Sequence, residues 1–279
     1  MQKKYYLLCF LLFFLTQVSS QSIWGVVANI ETGEKIPYVN VGYRNQSIGT
    51  VSNENGEFQL KILSSEFSDS IVFSSIGYHK VSFLTGDLKN RLISNTTIFM
   101  RPQTDVLEEI IVSSRAFSRI QKLGNGRGSK RKKVGFGPND NLGREIGTVI
   151  ETQIKEALID KAFINIGINK YGKIKLRVNI YKWENNKITE RLNNVPLYFE
   201  TELQEGVWEV DLKKYNIEVS GDFFISFEYI ENMGEFGLYF TFSINKNPTF
   251  IRESINSEWE EIKYNNKRIS ISINCVLSY

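Results

Sequence analysis

Any catalysis in this chain would have to be assembled from very few groups. His79 is the sole histidine among 279 residues. A Ser-His-Asp or Cys-His relay needs an imidazole to carry the proton, so such a relay must run through His79, beside the Gly77-Tyr78 corner. The two cysteines are Cys9 and Cys275. Cys275 continues the apolar alternation of Ile269, Ile271 and Ile273, where a thiol behaves as a small hydrophobe. No His/Cys cluster has the spacing zinc requires, and no glycine-rich loop leads into Lys-Ser/Thr to cradle a phosphate. Carboxylates are plentiful. A glycosidase needs only two acids at a set separation, and Glu200, Glu202, Glu228, Glu231, Glu258, Glu260 and Glu261 supply them. Acids on outward strand faces are the commoner meaning of that pattern. Asn53-Glu54-Asn55-Gly56 offers oxygen ligands that suit calcium, but it reads first as a plain turn whose side chains bond the backbone. We expect no catalytic residue, no metal ligand and no cofactor.

Binding chemistry is better supplied. Trp183 and Trp259 stand beside polar turns and outside the alternating apolar runs, and Tyr181 lies on the same strand face as Trp183. Exposed rings with polar neighbours stack on sugar faces or anchor a protein partner. Trp183, Trp259 and Tyr181 are therefore the expected ligand residues. Trp208 alternates with Val210 and Leu212 and belongs to the core.

The elements that must position these residues are nearly all strands. Lys3 and Lys4, the apolar run Tyr5–Leu15, and Val18 and Ser20 before Gln21 form a secretory signal over residues 1–20, too short to span a bilayer. Its removal leaves 32 basic against 31 acidic residues, a net charge of +1 in place of +3, which gives no global pull toward nucleic acid. Cys275 is then alone and no internal disulfide closes. The mature chain has no apolar stretch of membrane-spanning length, and export to the periplasm or the outer-membrane surface is expected. Residues 21–105 hold about seven short strands with turns every 8–12 residues, the pattern of an antiparallel sandwich. Residues 106–142 carry Arg115, Arg119, Lys122, Arg127 and Lys130 to Lys133, interleaved with five glycines, and read as a flexible basic linker. Such clustered cations also suit an anionic polymer. Residues 143–279 return to alternation: Ile174, Leu176, Val178 and Ile180 face inward while Lys173, Lys175, Arg177 and Asn179 face out. Seven or eight such strands fit a jelly-roll-like sandwich. The fold class is all-β.

Gly25-Val26-Val27, Thr32-Gly33, Ile36-Pro37-Tyr38-Val39-Asn40-Val41, Gly49-Thr50, Asn53 to Phe58 and Asp69 to Tyr78 resemble, in family order, the carboxypeptidase regulatory-like domain. That resemblance implies a seven-stranded transthyretin-like sandwich and a non-catalytic module. The patterns Arg177 to Tyr181, Gly206 to Leu212 and Trp259 to Ile262 resemble the galactose-binding-like sandwich of bacterial envelope proteins. The expected function is a scaffold plus a binding module for a carbohydrate or an envelope protein. Regulatory-like domains also precede TonB-dependent receptors, followed by a stretch like Leu107 to Val112. A receptor fragment is thus an alternative, although roughly 165 residues cannot supply a plug and a large barrel. A carboxylate-only glycosidase is a second alternative.

Overall fold

A computed structural model describes residues 21–62, 69–103, 117–137, 142–231, 234, 236–244 and 246–279. The expected signal peptide and the Leu107 to Val112 stretch lie outside the described residues.

Seven strands build the first unit: β1 (Gln21–Asn29), β2 (Asn40–Tyr43), β3 (Gly49–Val51), β4 (Glu57–Ile62), β5 (Ser70–Ser74), β6 (Val81–Leu84) and β7 (Thr97–Met100). One sheet has the order β4-β1-β7 and the other β3-β2-β5-β6. Their facing side chains, among them Val27, Leu60, Phe73 and Ile98, are fully buried. The period-2 pattern of β4 is plain: Phe58, Leu60 and Ile62 are buried while Glu57, Gln59 and Lys61 are exposed. The turn before it is the plain one. Asn53 Oδ1 accepts hydrogen bonds from the amides of Asn55 and Glu57, the local bonding of an Asx turn. Gly56 has φ 72°, and a Cβ there would lie 2.7 Å from the Val27 carbonyl oxygen, so only glycine fits. Between β6 and β7 the chain forms α1 (Thr85–Ser94), an element the strand pattern does not announce. It caps the core with Leu88 and Leu92, one helical turn apart on one face.

The second unit begins earlier than the sequence pattern indicates. β8 (Ile120–Gly124) and β9 (Ser129–Phe136) pair with strands of the C-terminal sandwich. Residues 106–142 are therefore not a flexible connector throughout: 117–137 belong to the second sandwich, and 104–116 and 138–141 lie outside the described residues. Gly124, Gly128 and Gly135, among the glycines that suggested mobility, permit close packing. A Cβ on Gly128 would sit 2.6 Å from the Phe242 backbone, and one on Gly135 2.2 Å from the Leu238 carbonyl.

The remaining strands are β10 (Glu145–Ile150), β11 (Ala157–Asn169), β12 (Ile174–Glu184), β13 (Lys187–Arg191), β14 (Leu197–Thr201), β15 (Gly206–Asp211), β16 (Glu218–Val219), β17 (Phe223–Tyr229), β18 (Leu238–Ile244), β19 (Thr249–Arg252), β20 (Glu260–Glu261), β21 (Lys263–Tyr264), β22 (Lys267–Ile271) and β23 (Ile273–Ser278). A seven-stranded sheet runs β13-β12-β17-β10-β19-β20, with β14 also on β12. A nine-stranded sheet runs β21-β22-β18-β11-β23-β8, with β9, β15 and β16 attached. Ile164, Val178, Phe227, Phe240 and Cys275 fill the space between them. Side chains close this interior, so the described strands form a packed sandwich.

The two units touch. Tyr38, Val51 and Ile230 form a small buried cluster with Tyr198 and Leu142 against it. Ser254 Oγ donates to the Gln46 carbonyl and Asn256 Nδ2 to the Gly42 carbonyl. Tyr38 holds φ 54°, a costly conformation for a non-glycine residue, and its carbonyl accepts from Arg177 Nη1 at 2.9 Å.

Candidate functional site

The outward face of the seven-stranded sheet carries the polar and aromatic groups of interest. Pairing registers align Arg177 with Glu228, Glu228 with Glu145, and Glu145 with Arg252. One row across four strands therefore reads cation, anion, anion, cation. Strand alternation places Arg177 and Asn179 on the outer side, as expected, but not in solvent: the first unit and the β19–β20 segment cover the row, and Arg177, Asn179, Glu145 and Glu228 are essentially inaccessible.

Each charge in the row is answered. Arg177 Nε and Nη2 donate to the two oxygens of Glu228 at 2.8 and 2.5 Å. Arg252 Nε donates to Glu145 Oε2 at 2.8 Å, with its Nη2 on the same oxygen. Asn179 Nδ2 bridges the two like-charged carboxylates, at 2.8 Å to Glu145 and 2.9 Å to Glu228. Ser226 Oγ and Tyr181 Oη also donate to Glu145. Burial alone would raise the Glu228 carboxyl, but the charge and hydrogen bonds of Arg177 outweigh it, and the group is held below the ordinary carboxylate range. Glu228, one of the acids that could serve a glycosidase, is thus the partner of a buried arginine.

The same face continues into an aromatic shelf. Tyr181, Phe224 and Val149 form its buried floor, with Trp183, Ile188, Phe250 and Trp259 half-buried above. Trp259 meets Phe224 at 4.9 Å and Tyr181 at 5.9 Å between ring centroids, both edge to face. The Arg252 guanidinium lies 4.4 Å from the Trp259 ring centre, a cation–π contact. Trp183 and Phe250 are 5.6 Å apart. Tyr181 is buried, and burial pushes its hydroxyl up from the usual range. It accepts from Arg252 Nη2 at 2.6 Å and from Arg191 Nη2 at 3.0 Å. The fold therefore brings the three expected ligand residues together: Trp183 and Trp259 at the rim, with Tyr181 beneath as the hydrogen-bonded link to the ionic row. Phe250, Arg191 and Arg252 also belong to this region and have no signal in sequence. Phe250 reaches the shelf only because β19 pairs with β10.

A second concavity lies where the units meet. It is an open cleft of about 900 Å³ lined by the Asn53–Gly56 turn, Thr50 and Val51 on one side and Lys173, Lys175, Glu200 and Glu231 on the other. The charges on the second side answer one another. Lys175 reaches Glu200 at 2.8 Å, Glu231 at 2.9 Å and Tyr38 Oη at 2.9 Å. Tyr38 Oη also donates to Glu231 at 2.6 Å. Burial and the Glu231 bond push the Tyr38 hydroxyl up to about 12, and Lys173 and then Lys175 draw Glu200 down. Away from both concavities, His79 is exposed and Cys275 is fully buried, its thiol pushed up by burial.

Residues 23–112 match the family model of the CarboxypepD_reg-like domain, in agreement with the resemblance carried by Gly25 to Tyr78. No curated protein matches the chain. Among solved structures, it is similar to the cysteine protease and lectin-like domains of Cwp84, a surface-layer-associated protein of Clostridium difficile, at 13% identity and TM-score 0.35, over 53% of this chain and 36% of that one. The clostridial Cwp84 protease after propeptide cleavage gives 12% identity and TM-score 0.35, over 53% and 40%. The chain thus spans less than half the length of these structures, and similarity at that level says nothing about a shared ligand.

Proposed function

We propose that this chain is an exported, non-catalytic binding module of the cell envelope, in which the regulatory-like domain is a scaffold docked on a sandwich that binds a glycan through its aromatic shelf. One observation carries this: Trp183 and Trp259 are half-buried on an outer sheet face, outside the core, with Arg191, Arg252 and the Tyr181 hydroxyl beside them. Rings held at the rim by packing from beneath are preorganised for stacking, which lowers the entropy cost of binding. The interdomain cleft has no aromatic ring in its lining, and its Lys173, Lys175, Glu200 and Glu231 already pair.

A glycan array probed with the chain from residue 21 onward tests the proposal. Retention of a defined saccharide class, lost in the Trp183→Ala/Trp259→Ala variant while the urea midpoint indicates a folded domain, is the expected result. Retention unchanged by that variant would rule out the shelf. A second reading, a protein partner, has its own observation: Trp24 is 65% exposed and Phe99 38% exposed on the outer face of the β4-β1-β7 sheet. In that case capture from envelope extract should depend on Trp24 and not on Trp259.

A further inference from the structure

The cations first read as a linker are fixed on the other sheet. On β9, Lys133 pairs with Thr241 and Ser129 with Phe242. A single step along β18 therefore spans four steps along β9, and Lys130, Arg131 and Lys132 bulge out of the ladder. A bulge re-aims side chains away from their neighbours, here three consecutive cations.

The bulge projects toward a second basic element. The Lys132 ammonium lies 6.0 Å from the centre of the Tyr264 ring, and Tyr264 is 49% exposed. In the β21–β22 hairpin, Tyr264 opposes Lys267 and Lys263 opposes Arg268. Like charges directly opposite destabilise a hairpin, and only Arg268 is relieved, by Glu261 at 2.8 Å. Lys130, Arg131, Lys132, Lys263 and Lys267 have no ion-pair partner among the described residues. The contrast with the opposite sheet is sharp, since Lys173, Lys175, Lys182, Arg177 and Arg252 all meet a carboxylate there. Unanswered cations concentrated on one ridge raise the local potential and attract a multivalent anion.

We propose that this ridge, centred on Tyr264 and flanked by Lys130–Lys132 and Lys263/Lys267, binds an acidic polysaccharide. The cations meet carboxylate or sulfate groups repeated along the polymer, and the exposed Tyr264 ring stacks on a sugar face. Nucleic acid is less well matched, because the chain as a whole is close to neutral and the ridge offers one ring in place of a row of base-stacking platforms. A lipid surface is less well matched too, since the ridge has no aliphatic wedge to insert. The ridge lies on strands of the nine-stranded sheet and uses none of the shelf's rings, so its variants test it independently of the function proposed above.

The test uses the chain from residue 21 onward on immobilised polygalacturonate and dextran sulfate, with neutral dextran as control. Binding to the two polyanions but not to dextran is expected, weakening as salt rises from about 50 to about 300 mM because exposed charges are screened. Lys130→Gln/Arg131→Gln/Lys132→Gln should lose roughly tenfold or more in affinity, and so should Lys263→Gln/Lys267→Gln on the separate hairpin. Two variant sets on different strands guard against misfolding of either. Tyr264→Ala should weaken polygalacturonate binding further than it weakens dextran sulfate binding. Absence of polyanion binding, binding untouched by both sets, or tighter binding of single-stranded DNA or anionic phosphatidylglycerol vesicles through the same residues would overturn the proposal.

Discussion

Replacing Arg177 by Met should unmask the buried charge row, and its effect should depend on pH. Arg177 donates twice to Glu228 and once to the Tyr38 carbonyl, at 2.8, 2.5 and 2.9 Å. Methionine keeps much of the stem volume but leaves Glu228 buried without its nearest counter-charge. Breaking a buried pair in this way costs about 3–5 kcal/mol. The sign of the pH dependence follows from Glu228. In the native chain its carboxyl is held below the ordinary range, since Arg177 overcomes burial. The pair's stabilisation is therefore fully present above the unfolded pKa of about 4.3 and lost as pH falls through the lower folded value. In Arg177→Met, burial is no longer opposed by Arg177 and the carboxyl moves up. Its contribution is then lost as pH rises through the raised value. Urea unfolding of both proteins should give a stability difference of about 3–5 kcal/mol near pH 7.5, shrinking near pH 4.5. Glu228→Gln is the control. It strands Arg177, which cannot lose its proton, so its cost should not fall in the same way near the acid end. A difference below about 1 kcal/mol for Arg177→Met, flat across pH, would refute the claim that the row is buried and coupled.

Gly56→Val should cost at least about 1–2 kcal/mol for the left-handed backbone, plus the clash with the Val27 carbonyl; an unchanged urea midpoint would show the turn to be misassigned. Acrylamide should quench Trp24 strongly, Trp183 and Trp259 partially, and Trp208 least, as single-tryptophan variants would report. Cys275 in the chain from residue 21 should not react with a thiol reagent until the protein is denatured; rapid native reaction would contradict its burial. Native trypsin digestion should spare the Ile120–Gly124 strand, whose carbonyls and amides pair with β23; early cleavage at Lys122 would show that β8 is not held there.

The first sandwich was legible because its information is local. Glycines and asparagines mark turns and β4 alternates without interruption, so strands and family resemblance coincide. α1 was not legible: it is ten residues long with two buried leucines, too little pattern to stand out between strands. The core faces of β12 and β17 could be read for the same local reason. Alternation tells which side of a strand a residue occupies, but not what covers that side. Hence Arg177 and Asn179 looked solvent-facing, whereas the packing of the first unit buries them. Composition misled over residues 117–137: glycine and lysine together suggest an open chain, yet Gly124, Gly128 and Gly135 sit where strands approach too closely for a Cβ. Trp183, Trp259 and Tyr181 were singled out on polar context and the fold places them side by side, with Tyr181 buried beneath, while Phe250 and Arg252 joined them through a long-range pairing that no local pattern encodes.

Hydrogen–deuterium exchange of the chain from residue 21, with and without the best saccharide from the array, most directly tests binding at the shelf. Protection should concentrate in the peptides around Tyr181–Trp183 and Phe250–Trp259, with the opposite sheet and His79 unaffected. Protection confined to the interdomain cleft peptides around Asn53–Gly56 and Lys173–Lys175, or absent from both Trp183 and Trp259 under saturating ligand, would contradict it.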